Sequence, residues 1–114
     1  MNRLNDISGR NVLPGSIGGH PINGSTQQIT NAAADTDGTI TLVSGKSYLV
    51  VPTITGGVYL GLANVETAAN VMWVAPLGGS CLMHIESGAN DANVTVHYAV
   101  TVNNAKAYVI LLDE

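Results

Sequence analysis

From Thr39 onward, short runs of β-branched and aliphatic residues recur, separated by glycine, asparagine and serine. Seven of these runs read as strands: Thr39–Val43, Lys46–Thr53, Val58–Leu62, Val71–Ala75, Ser80–Glu86, Asn93–Val102 and Ala105–Leu112. Asn93–Val102 alternates most clearly. Val94, Val96, Tyr98, Val100 and Val102 share one face, and Thr95, His97, Ala99 and Thr101 share the other, as in a half-buried strand. Ala105–Leu112 is apolar on both parities, with Ala107, Val109 and Leu111 opposing Tyr108, Ile110 and Leu112. That pattern predicts cover on two sides: the core on one, and a neighbouring subunit or the N-terminal segment on the other. Val71–Ala75 repeats it weakly, Val71 and Trp73 opposing Met72 and Val74. Ser44-Gly45 and Gly56-Gly57 read as two-residue hairpin connections, and Asn103-Asn104 suits a type I′ turn because Asn tolerates positive φ. Ser87–Ala92 is a longer loop, and Ala63–Asn70 has room for one helical turn. The expectation is all-β: a single compact antiparallel β-sandwich or β-barrel with an extended N-terminal arm.

The division is expected at residues 38 and 39. Residues 1–38 hold isolated apolar side chains, including Leu4, Ile7, Val12, Leu13, Ile17, Ile22 and Ile29, with no lasting period. Gly15–Gly24 is a loop by composition, and only Gln27–Ala34 has the makings of a short helix or strand. The readings are an arm that orders against a partner, a floppy N-terminus, or an edge strand tucked onto its own domain. Residues 39–114 form the β-domain.

Composition narrows the function. The 114 residues are 46% hydrophobic and 11% charged, against about 25% charged in a typical soluble domain. A surface so poor in charge suggests that part of it is hidden in an oligomer or larger assembly. Arg3, Arg10, Lys46 and Lys106 are scattered and the net charge is −4, which argues against a phosphate-binding nucleic-acid surface. Cys81 is the single cysteine, so no disulfide forms within the chain. The longest apolar run, Ala107–Leu112, is too short for a membrane helix. Met1–Arg10 lacks the apolar core of a signal peptide. A reducing cytoplasm, or a particle assembled in one, is the expected compartment.

The candidate chemistry is thin. Ser44-Gly45-Lys46-Ser47 resembles the end of a phosphate-binding loop, but Ile40 stands where the first glycine belongs and a strand follows instead of a helix. His84 and His97 are candidate metal ligands if their strands pair, whereas Cys81 and His84, three apart on a strand, point to opposite faces. His20 sits beside Pro21 with no visible partner. No Gly-x-Ser-x-Gly elbow occurs, and Cys81 shares a parity with Met83 and Ile85, the setting of an inert buried thiol. Asp35 and Asp37 precede Gly38 as a loop; Glu66, Glu86 and Asp91 are isolated. Trp73 is the sole tryptophan and the expected anchor of a core or interface. Tyr59, between Gly57 and Gly61, is the plausible platform for stacking a sugar. Neither catalysis nor a cofactor or metal is expected.

The segments ITLVSGKSYLVV, GGVYLGLA, ANVMWVAPLGG, CLMHIESG and VTVHYAVTVNNAKAYVILL together resemble small β-domains encoded by tailed bacteriophages. The resemblance spans about two thirds of the chain, Ile40 to Asp113, and is one of texture. It implies a head decoration, or cement, protein: a homotrimer bound to the major capsid protein on the outer head surface. An N-terminal arm would lie on the capsid or on a neighbouring subunit. On this reading Leu4, Ile7, Val12, Leu13, Ile17 and Ile22 of the arm, with Tyr108, Ile110 and Leu112 of the last strand, form the interface. The other classes to weigh are a tail, fibre or neck component or a carbohydrate-binding attachment module, and a small metal-binding barrel using His84 and His97.

Overall fold

Alternation along the strands gathers one set of apolar side chains into a common interior. Leu42, Tyr48, Val50, Val58, Leu60, Met83, Val96, Val100, Ala107 and Val109 are all buried there. A computed structural model of the chain describes residues 20–21 and 24–113. Its strands are β1 (His20–Pro21), β2 (Gln27–Thr30), β3 (Gly38–Val43), β4 (Ser47–Pro52) and β5 (Val58–Gly61). Then come β6 (Trp73–Ala75), β7 (Cys81–His84), β8 (Asn93–Val100) and β9 (Lys106–Asp113). A 3-10 turn at Ala68–Asn70 occupies the expected helical segment.

The strands form two antiparallel sheets packed as a sandwich. In the first sheet β9 pairs with β4 and β4 with β7, while β1 and β2 share the other edge of β9. The second sheet runs β3-β8-β5-β6. Each fully buried Val or Leu contributes about 1.5–3 kcal/mol, so this interior is the main source of stability. Of the two expected architectures the sandwich is the one formed.

Each of the seven expected strands is present, shifted by no more than two residues at a given end. The turn readings change. Ser44-Gly45 links β3 to β4, Gly56-Gly57 lies between β4 and β5, and Asn103-Asn104 lies between β8 and β9. In each case the flanking strands belong to different sheets, so none of these is a hairpin. They are corners of the sandwich. From β3 onward, β5 and β6 are the one pair of consecutive strands that are neighbours in one sheet, and residues 62–72 connect them. Turn chemistry records a reversal; it does not record which strand offers the better apolar match across the gap. At the first corner the Tyr48 hydroxyl accepts a hydrogen bond from the Val43 N–H (3.0 Å), tying β4 back to β3.

Part of the segment expected as an arm belongs to the sandwich. Gln27–Thr30 pairs with Lys106–Val109, and Ile29 is buried in the core. The edge-strand alternative therefore holds for these residues, because Ile29 opposite Ala107 completes the interior. Tyr98 closes this side: its hydroxyl donates to the Thr30 carbonyl (2.9 Å) across the two sheets. Its ring lies against Gly38, where a Cβ would come within 2.8 Å of it. Residues 1–19, 22 and 23 lie outside the described residues, and with them Leu4, Ile7, Val12, Leu13, Ile17 and Ile22.

Candidate functional site

Three surfaces carry features beyond folding. The first is the outer face of the β9-β4-β7 sheet. Parity turns Tyr108 and Ile110, Leu49 and Val51, and Leu82 outward. The register aligns Ile110 with Leu49 and Leu49 with Leu82, while Tyr108 faces Val51. Tyr108 is 40% exposed and Leu82 52%, so a solvated sheet face carries an apolar row. Leu112, on the same parity, is only 5% exposed and lies opposite Pro21. Of the three last-strand residues expected at an interface, Tyr108 is thus the most accessible and Leu112 is already enclosed.

At the margin of this face the Ser47 hydroxyl lies 2.8 Å from His84 Nδ1, and His84 Nε2 lies 3.2 Å from Glu86 Oε2. The order resembles a nucleophile, base and orienting carboxylate. His84 and Glu86 are exposed and Ser47 is half-buried.

The second surface is the outer face of the β3-β8-β5-β6 sheet. The segment before β3 folds back over it, and the Asp35 N–H bonds to the Val100 carbonyl (2.8 Å). Asp37 Oδ2 meets His97 Nδ1 at 2.8 Å, and its Oδ1 accepts the Val65 N–H at 3.1 Å. Glu66 Oε2 accepts the Asp37 N–H (2.8 Å), and the Tyr59 hydroxyl donates to Asp35 Oδ1 (2.8 Å). Burial, then the hydrogen bond to Asp35 and the negative charges of Asp35 and Glu66, push the Tyr59 phenol up to about 12. Each carboxylate here has a partner in the chain, so the cluster works as a latch joining the segment before β3 to the β5–β6 connection. In the sequence Asp35 and Asp37 read as a loop and Glu66 as an isolated acid, because the contacts that join them span up to 60 positions.

His84 and His97 lie on opposite outer faces of the sandwich, since β7 and β8 belong to different sheets. They share no metal, and no group of three potential ligands occurs among the described residues. Cys81 is half-buried on the inward parity; burial raises its thiol pKa, partly offset by the Val74 N–H. Trp73 is half-buried against the core.

The third surface is one end of the sandwich. Ile54 on the β4–β5 loop is 93% exposed, and Val74, Leu77 and Val102 are exposed near it. A groove of about 340 Å³ is lined by Pro52, Thr53, Ile54, Leu77 and Gly78. A second, of about 260 Å³, runs between Tyr59, Val74, Leu77 and Val102. No Asp, Glu, Lys or Arg occurs in residues 51–65, 67–83 or 92–105, so the loops building this end are uncharged. This end carried no recognisable pattern in the sequence, where Ile54 and Leu77 stand as isolated loop residues.

No family model, curated protein or solved structure matches this chain.

Proposed function

We propose that the chain is a structural protein of a tailed-phage virion, a non-enzymatic decoration protein that binds the major capsid protein on the outer head surface and stabilises the shell. The observation that carries this reading is the uncharged apolar end around Ile54, Val74, Leu77 and Val102. Exposed apolar side chains gathered at one end suit docking by burial of area, and they suit acid–base or nucleophilic chemistry poorly. The apolar row Ile110–Leu49–Leu82 offers a second contact, and residues 1–19 act as the arm. Weak contacts of this kind, repeated over a symmetric shell, sum through multivalency. The resemblance in texture to phage β-domains supports the same reading.

A sugar-binding role draws less support. The Tyr59 hydroxyl is committed to Asp35, and the groove beside the ring is walled mainly by Val74, Ala75, Pro76, Leu77 and Val102, with the hydroxyls of Thr55 and Thr101 but no amide or carboxylate side chain.

The test is co-sedimentation with empty tailed-phage heads, comparing the full chain with one lacking residues 1–19. Truncation stops before β1, because removing residues 1–30 would also take away β2 and Ile29. Full-length protein is expected to pellet with heads and the truncated form to pellet weakly. Full-length protein left in the supernatant overturns the decoration role; equal pelleting of both forms overturns the arm.

A further inference from the structure

We propose that β3 is the edge on which a second copy of this chain adds, antiparallel, joining two four-stranded sheets into one of eight. The backbone pattern at the end of β3 sets the geometry. The Ser44 N–H bonds to the Ala92 carbonyl and the Asp91 N–H to the Ser44 carbonyl, both at 2.9 Å, with Asp91 at φ 67. This is a bulge of the kind that places its first residue in the left-handed region. Counting back by twos, Leu42, Ile40 and Gly38 turn their N–H and C=O groups toward β8. Thr39, Thr41 and Val43 turn theirs away from the sheet. The Val43 N–H, which donates to the Tyr48 hydroxyl, fits that count. The outward backbone groups of Thr39 and Thr41 have no partner among the described residues.

The other strand edges are occupied or short. β6 lies against β7, and the Val74 N–H reaches the Cys81 sulfur. β2 has four residues, and its Thr30 carbonyl takes the Tyr98 hydroxyl. β3 has six residues, GTITLV, with no charge, no proline and β-branched side chains at four positions. Edges that stay single are guarded by lysine, proline, bulges or brevity, and β3 has none of these along Gly38–Val43.

The occupant is argued from self-complementarity. A two-fold axis at Ile40 sets Thr39 opposite Thr41 of the second copy, and the reverse. The four outward groups of each copy then pair across the axis in four hydrogen bonds, with the Val43 N–H left to Tyr48. The exposed Thr39 and Thr41 side chains become cross-strand Thr–Thr pairs on one face, and the half-buried Ile40 side chains meet on the other. Neighbouring carboxylates do not oppose this, since Asp37 is held by His97 and Val65, and Asp35 by Tyr59. The pairing does not depend on the virion role, which uses other surfaces.

The experiment is sedimentation equilibrium on the full chain over a dilution series, with backbone amide exchange read at Thr39 and Thr41. The expected mass is two chains or an even multiple, with both amides protected and their protection lost on dilution. Thr41→Pro removes an outward N–H and no bond to β8. The double variant Thr39→Lys, Thr41→Lys sets like charges opposite one another without altering the backbone. Each is expected to halve the mass and leave the circular dichroism of the wild type. If the proline variant does not fold, the lysine variant decides. A single-chain or three-chain mass, fast exchange at Thr39 and Thr41 in concentrated protein, or a mass unchanged in the lysine variant overturns the pairing.

Discussion

Gly38 and Tyr98 show how one absent side chain admits another. The Tyr98 ring occupies the space a Gly38 Cβ would need, and its hydroxyl ties the second sheet to Thr30 of the first. Gly38→Ala is expected to cost about 1–3 kcal/mol, the usual range for overpacking, measured by urea unfolding. Tyr59 makes a second prediction. Its phenol is held protonated to about 12 instead of the ordinary 10.0, so the folded state keeps a proton that the unfolded chain gives up earlier. The contribution is complete below about pH 10 and is lost as pH rises through about 12. In Tyr59→Phe this part of the alkaline loss is expected to vanish, with about 1 kcal/mol lost at neutral pH from the missing hydrogen bond. Stability curves against pH for the two proteins check both. A wild-type phenolate titration in which one tyrosine does not lag the others would count against it.

At the scale of elements, β2 separates domain from arm. Ile29 is buried although its neighbours along the chain are polar and exposed. Ile29→Ala is expected to destabilise the whole sandwich by about 2–5 kcal/mol, as for other core truncations, in a single cooperative transition. A loss below about 0.5 kcal/mol, the level of ordinary surface changes, would return Gln27–Thr30 to the arm. The strands themselves were legible because alternation is local: Val94, Val96 and Val100 announce an inward face without reference to anything else. The corners at Ser44-Gly45, Gly56-Gly57 and Asn103-Asn104 were misread as hairpins for the opposite reason. A turn sequence constrains φ and ψ at two residues, whereas partner choice is settled by strands such as β8, which pairs with β3 across separations of 50 to 60 residues.

For the whole molecule, the distribution of charge matters more than its total. The uncharged end around Ile54 and Leu77 and the latch of Asp35, Asp37, His97 and Glu66 meet at Tyr59 but use different side chains, so Ile54 and Leu77 can be altered without touching a latch bond. The double variant Ile54→Lys, Leu77→Lys is expected to fold with a melting temperature close to wild type, because both side chains are exposed. Its binding to heads is expected to fall at least about tenfold, which corresponds to about 1.4 kcal/mol. Unchanged co-sedimentation would move the docking surface to the row Ile110–Leu49–Leu82. Asp37→Asn is the converse: expected to lower the melting temperature and leave head binding intact, since its contacts are to His97 and Val65.

The sequence by itself determined the class of the fold, the position of the strands from Thr39 onward and the apolar face of Asn93–Val102, which is buried as far as Val100. These follow from side-chain alternation within a few residues, and from a composition too apolar for disorder and too uncharged for phosphate binding. Tertiary structure alone decided the division into two sheets and the recruitment of Gln27–Thr30 into the first. It also decided the separation of His84 from His97, the Asp37–His97 latch and the gathering of Ile54 with Leu77 and Val102 at one end. Each of these depends on which strand lies beside which. That choice is made by packing the whole interior at once, so no local window of the chain records it.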